Sequence, residues 1–342
     1  MNVRTSLAVL LSFAAACSKP APTPEVAQPG APPPVAPVQF EAIPGPRAAA
    51  SASAAPALQE AKKPEPGPAP APAVTFKGAF ATPESVFYDA AGDRYLVSNI
   101  NGKPDGVDGN GYISELLPDG TVKTPKLIAG GEKGVRLDAP KGMAMVRGEL
   151  WVTDVSQVRK FDSKTLAPKG DIALPGATFA NDIVLAPDGR VSVTDSSVKP
   201  GEKGFEPQGG DQVLSIDKAG KVKVVAKAKD LSGPNGLAIG AKDALWVNTL
   251  VSNEIFRLTD DGKREDVTKL PSGGLDGFLI NGETIIVSSW SASAVYRGKL
   301  GGAFEPIIQN VKGAADIGWD SKRSRVLIPR FLDDVVEAYD VK

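Results

Sequence analysis

PNGLAIGAKDALWVNT, Pro234 to Thr249, holds a pattern that recurs along the chain: a polar residue and a glycine, a short apolar run, a turn, apolar alternation, then a polar end. Variants are PESVFYDAAGDRYLVSN from Pro83, PKGMAMVRGELWVTD from Pro140, ANDIVLAPDGRVSVTD from Ala180, LDGFLINGETIIVSSW from Leu275 and ADIGWDSKRSRVLIPR from Ala315. The six copies lie 40 to 57 residues apart, measured between positions 84, 141, 181, 235, 276 and 316. Self-similarity at that period marks stacked units or propeller blades. Alternating apolar residues around Gly, Asp and Asn turns make each copy a β-hairpin and not a helix. The expected fold is therefore all-β, a six-bladed β-propeller.

Aligning the copies exposes one chemical column. The residue opening each first strand is Glu84, Lys141, Asn181, Asn235, Asp276 or Asp316. Innermost strands run beside the central channel, so one repeat position becomes a ring about the axis. A column facing a core would be apolar, and this one is polar or charged in every blade. Three carboxylates against one lysine put net negative charge in a confined channel, which raises carboxylate pKa values and favours a bound divalent cation. Oxygen donors favour a hard ion such as calcium or magnesium. The plainer alternative is a ring of polar residues that only lines a hydrated channel.

The 342 residues include no histidine and one cysteine, with 39 Lys and Arg against 40 Asp and Glu. Near-neutrality gives no electrostatic case for nucleic acid. The missing histidine excludes Ser-His-Asp triads, His-ligated zinc and every His-dependent lyase or lactonase mechanism. Chemistry must rest on carboxylates, amides, lysine or a metal held by oxygen.

The cysteine sits in an N-terminal segment. Arg4 precedes an apolar run from Leu7 to Phe13, too short to span a bilayer, and Ala14, Ala15 and Ala16 lead to Cys17. Residues 1–17 resemble a bacterial lipoprotein signal with Cys17 as the lipidated residue, apart from Ala14, where that motif prefers Leu. A plain secretory signal also fits. Either reading exports the protein, and the first anchors it by lipid alone in the cell envelope, at the outer membrane or periplasmic face. Residues 18–75 are dominated by Pro, Ala, Ser and Glu and cannot bury enough surface to offset their ordering entropy, so a disordered tether is expected.

Residues 76–342 are expected to form the propeller, as a monomer, with Val74 to Phe80 supplying a strand that closes the ring against Val335 to Val341. Two insertions, Ile100 to Asn110 and Ser196 to Gly210, follow inner hairpins and should emerge together on one face. Asp105, Asp108 and Asn110 in the first lack the twelve-residue calcium-loop pattern.

Pro83-Glu84-Ser85, Asn181-Asp182 followed by Pro187-Asp188-Gly189-Arg190, PNGLAI from Pro234 and Leu275-Asp276-Gly277 together resemble the SMP-30/gluconolactonase/LRE family of six-bladed propellers, over about residues 80–342. The resemblance implies a divalent metal at the channel mouth, usually calcium, with magnesium or zinc as alternatives, held by Glu84, Asn235 and Asp276. Asn181 lies beside it as a ligand or substrate contact. It also implies hydrolysis of a small-molecule lactone or ester, with Asp276 as ligand and base for water.

Two departures shift the expected substrate. Sugar-lactone hydrolases of that family often carry an arginine two residues before the Asn-Asp pair, and here the position is Phe179, which favours a less polar substrate. Lys141 adds a cation that either stabilises an oxyanion or pairs with Asp316 across the ring. A second column, Asn99, Asp154, Asp195, Thr249, Trp290 and Arg330, ends the second strands; its first four members read as scaffold, while Trp290 and Arg330 are candidates to touch a ligand. The competing function is a non-catalytic NHL-like envelope propeller that binds a protein, glycan or small ligand. A strictosidine-synthase-like propeller is more distant and is disfavoured by the absence of histidine.

Overall fold

In the computed structural model, residues 70–201 and 204–341 are described. The signal, Cys17 and nearly all of the proposed tether lie outside them. Six four-stranded antiparallel sheets follow one another around an axis. Their innermost strands are Pro83–Asp89, Pro140–Val146, Ala180–Leu185, Pro234–Ile239, Leu275–Asn281 and Gly318–Asp320. Each innermost strand packs on the innermost strand of the next blade, and the sixth packs on the first, so the ring is closed.

Closure is covalently staggered. The sixth sheet takes three strands from the C-terminal end and one, Val74–Lys77, from the start of the domain, with Val74 opposite Ala338 and Lys77 opposite Val335. The closing strand begins at Val74, two residues inside the segment expected to be tether. Pairing the first strand with the last ties the ring shut and removes the edge that the last blade would otherwise expose.

The core is not central. Six apolar clusters each sit between two neighbouring blades, for example Phe76, Val86, Tyr95, Leu327 and Val336 between the sixth and first, and Ala144, Trp151, Ile183, Val193 and Leu214 between the second and third. Hydrophobic burial is satisfied between sheet faces, about 10 Å apart in such packings. The axis is thereby left to polar residues.

Five innermost strands carry a register shift at the same place: between Pro83 and Ser85, Pro140 and Met143, Ala180 and Ile183, Pro234 and Leu237, and Leu275 and Phe278. The chemical column lies in these bulges, which re-aim side chains at the cost of ladder bonds. The Lys-Gly, Asn-Gly and Asp-Gly pairs at 141, 235 and 276 are thus not hairpin turns. A Cβ on Gly236 would lie 2.3 Å from the Asp276 carbonyl oxygen, and one on Gly277 would lie 2.2 Å from the Ile317 nitrogen. Glycine is required because adjacent inner strands touch there, backbone to backbone.

A ring of buried polar side chains completes the bulges. Asn248 Oδ1 accepts from Gly236 N at 2.9 Å while its Nδ2 donates to the Asp276 carbonyl. Thr153 donates to the Gly142 carbonyl at 3.2 Å and to that of Asn181. Thr194 Oγ1 accepts from Asp182 N and donates to the Asn235 carbonyl at 2.6 Å, and Ser288 donates to the Ala315 carbonyl at 2.8 Å. The first three stitch one blade's bulge to the next blade's column residue, and Ser288 reaches the residue before Asp316. Thr153→Val should therefore cost about 1–3 kcal/mol, because it leaves buried carbonyls unpartnered with little change in shape, and urea unfolding would read that loss.

Candidate functional site

Where both residues of a bulge carry side chains, Glu84 with Ser85 and Asn181 with Asp182, the two line different cavities. Glu84, Lys141, Asn181, Asn235 and Asp276 all line a small cavity at one mouth. Asp182, Ser85 and Asp316 line a separate cavity at the other, where Ser85 donates to Asp316. Asp316, expected among the substrate contacts, is therefore placed away from the other five.

The five are almost wholly buried, Lys141 at 1% exposure and Asn235 at 1%. Their hydrogen bonds are incomplete in one specific way. Asn235 Nδ2 donates to the Leu275 carbonyl at 3.0 Å, and Asp276 Oδ2 accepts from the Trp290 indole N–H at 2.7 Å. The buried oxygens Glu84 Oε2, Asn235 Oδ1 and Asp276 Oδ1 have no hydrogen-bond partner. Unpartnered buried oxygens are costly. The enclosed space is about 10 Å³, room for roughly one water or one ion.

These three oxygens fit a divalent cation: two carboxylates and one amide carbonyl, all hard donors. Among the described residues no three Asp, Glu, His or Cys side chains cluster, so an amide would have to complete the set. Asn181, by contrast, turns its Nδ2 to Ser196 Oγ at 3.0 Å.

Lys141 does not pair with Asp316. Its ammonium donates to the Pro104 carbonyl at 2.8 Å, in the first insertion, and to the Ala139 carbonyl at 3.1 Å, and lies 4.4 Å from the centre of the Phe179 ring. Two of three N–H donors are thus committed, leaving one for a ligand. Arg330 does not line the cavity. Its guanidinium pairs with Asp333 and, at 3.2 Å, with Glu337. The scaffold members of the second column behave as expected: Asp154 accepts from Ala139 N at 2.7 Å and from Arg159, and Asp195 from Phe179 N at 2.9 Å.

The roof is aromatic. The second insertion is a two-stranded hairpin, Val198–Gly201 against Gly204–Pro207, where a loop was expected. It brings Phe205 edge-on to Phe179 at 5.7 Å and to Trp290 at 6.0 Å, and Trp290 meets Phe331 at 5.1 Å. Ile100, Pro104 and Leu250 fill the gaps. Of these, sequence reading singled out only Phe179 and Trp290. The signal for the others was positional, since Ile100, Leu250 and Phe331 directly follow the second strands of blades one, four and six.

Charge confinement is visible in the carboxylates. Burial first, then Asp276 and Asp316, push Glu84 well above the ordinary range. Burial, with Asp316 second, pushes Asp276 up to about 8 against the pull of Trp290 and Asn235, and loss of hydration brings Asp316 to about 7. Burial lowers Lys141, with Glu84 opposing. Raised carboxylates bind protons in the folded state that the unfolded state has already released. Between about pH 4 and pH 8, stability in chelator should therefore fall as pH rises. A melting-temperature series across that window checks this, and excess calcium should flatten it if the cation takes the place of the protons.

A six-bladed propeller with a small cavity at one channel mouth, buried polar residues beneath and an aromatic roof above, is the class that fold and site define. No family model matches the chain, and no curated protein sequence does. Solved structures match in fold: a gluconolactonase from Xanthomonas campestris, 19% identical over 76% of this chain and 87% of its own, TM-score 0.56; virginiamycin B lyase from Staphylococcus aureus, 16% identical over 78% and 98%, TM-score 0.53; and a catalytically inactive histidine-to-alanine form of that lyase with quinupristin, 17% identical over 76% and 95%, TM-score 0.50. At these identities the likeness shows the propeller fold.

Proposed function

We propose that the protein is an exported, metal-dependent hydrolase of a lactone or ester with an apolar substituent, of the SMP-30/gluconolactonase type, tethered to the cell envelope through Cys17. The observation that carries this is the set of three unpartnered buried oxygens, one each on Glu84, Asn235 and Asp276, on residues that line one small cavity. A hard divalent cation, calcium before magnesium or zinc, would supply Lewis-acid polarisation of the acyl carbonyl and of water. Asp276 is also the base that takes the proton of the attacking water, and the free N–H of Lys141 stabilises the developing oxyanion. The aromatic roof excludes bulk water and offers an apolar or aryl group edge-to-face partners. Lyase chemistry is disfavoured, since the virginiamycin lyase is inactive once a histidine is replaced and this chain has none.

One observation favours the second reading, a non-catalytic propeller with a structural cation: the cavity, at about 10 Å³, has no room for a substrate beside an ion. Assay of aryl esters and alkyl-substituted lactones, with calcium and with chelator, separates the two. Calcium-dependent turnover supports the hydrolase, and calcium binding without any turnover supports the scaffold. Entry of substrate requires Phe205 to leave. Phe205→Ala should accordingly lower KM for bulky substrates several-fold, with the domain still folded because the hairpin is not part of any blade sheet; steady-state kinetics on two substrate sizes would show it.

A further inference from the structure

Trp290 belongs to the roof by its ring and to the polar ring by its nitrogen. Its Nε1–H donates to Asp276 Oδ2 at 2.7 Å, while the other carboxylate oxygen, Oδ1, is buried with no partner. The indole is itself immobilised, edge-on between Phe205 at 6.0 Å and Phe331 at 5.1 Å, and its backbone N–H is bonded to the Gly274 carbonyl at 2.8 Å.

From this geometry we infer that Trp290 is the positioning residue of the cation site: it occupies Oδ2, so that Asp276 presents Oδ1 alone, as a single fixed donor beside Glu84 and Asn235. This rests on the proposal that these three residues hold a cation. A carboxylate free to rotate about its Cβ–Cγ bond would offer either oxygen, or both, and its freezing would be charged against binding. A charge-assisted hydrogen bond from a ring that cannot swing removes that freedom beforehand and selects the ionised carboxylate. Trp290 thereby acts through Asp276 and not on the substrate, in contrast to its expected role as a ligand contact. It also joins the cation site to the roof, since the same ring that fixes Asp276 packs against Phe205.

The test is titration of the full chain with calcium, magnesium and zinc, each alone after chelator treatment, by calorimetry, for the wild type, Trp290→Phe and Trp246→Phe. Trp290→Phe keeps an aromatic ring and deletes the N–H, and should weaken binding by about 10–100-fold, the effect typical of losing an outer partner of a metal ligand. Trp246→Phe makes the same change in the core between blades four and five, at a residue that does not line the cavity, and should leave affinity within about threefold of wild type. Independently, of the four indole N–H signals in a tryptophan-labelled wild-type sample, the one missing from Trp290→Phe should shift on saturation with the ion that binds. Because that signal is read in the unaltered chain, it tests the inference even if Trp290→Phe does not fold, the assignment then resting on replacement of the other three tryptophans. Equal affinity of Trp290→Phe and wild type, or a Trp290 signal that does not move, overturns the role of Trp290 while leaving the cation site standing. Wild-type protein that binds none of the three ions removes both.

Discussion

Asp276→Asn is expected to abolish detectable calcium binding and, with it, hydrolysis. The substitution is nearly isosteric, so packing beneath the roof is preserved and the Trp290 N–H still has an oxygen to meet. What disappears is one of the two negative charges among the three unpartnered donors. Loss of an outer partner already costs about 10–100-fold in metal affinity, and loss of a charged ligand should exceed that. Turnover should fall by at least ~100-fold, since both the electrophile and the proton acceptor are affected. The same variant should be at least as stable as wild type in chelator above pH 7, because burial and Asp316 hold Asp276 near 8 and its ionisation there opposes folding. Calorimetric titration together with thermal melts at pH 8 checks both halves. An Asp276→Asn protein that binds calcium as wild type does would remove Asp276 from the site.

Gly277→Ala should be among the most disruptive single-methyl changes at the described residues. Its Cβ would stand 2.2 Å from both the Ile317 nitrogen and Asp316 Oδ1, and 2.6 Å from the Asp316 Cα. Most of those atoms are backbone of the adjacent blade, so no rotamer change relieves the clash, and the inner strands of blades five and six must separate. Overpacking costs about 1–3 kcal/mol even where side chains can yield, and here the loss should exceed about 3 kcal/mol or prevent closure. Gly148→Ala is the control. Gly148 sits in a hairpin turn with φ +81° and nothing within 4 Å of its missing Cβ, so only the backbone penalty of about 1 kcal/mol applies. Soluble yield and melting temperature of the two variants would compare crowding at the axis with strain in a turn.

The repeat that begins at Pro234 was enough for the blade count, the innermost hairpins and the third strands such as Glu254–Leu258 and Ala294–Gly298, because half-buried strands alternate and their turns use Gly, Asp and Asn. Outermost strands such as Pro168–Ala173 escaped notice: nearly all of that strand is exposed, and without a buried face there is no alternation to read. The hairpin carrying Phe205 was hidden likewise, as Gly and charged residues surround its one aromatic anchor.

Sequence by itself determined that six polar residues recur at one repeat position and that histidine chemistry is absent; the pairing of the propeller's two ends near Val74 and Val335 was an expectation from the architecture. Repetition and alternation are local properties, written in residues a few positions apart. Only the tertiary structure decided which column members meet. Glu84, Asn235 and Asp276 come to one mouth, with Asp182 and Asp316 at the other; Lys141 is handed to backbone carbonyls and Arg330 to Asp333 and Glu337; and three particular oxygens are left without partners. Those outcomes depend on contacts between blades some 40 or more residues apart in the chain, where a shift of one residue reverses the direction of a side chain and no local pattern records it.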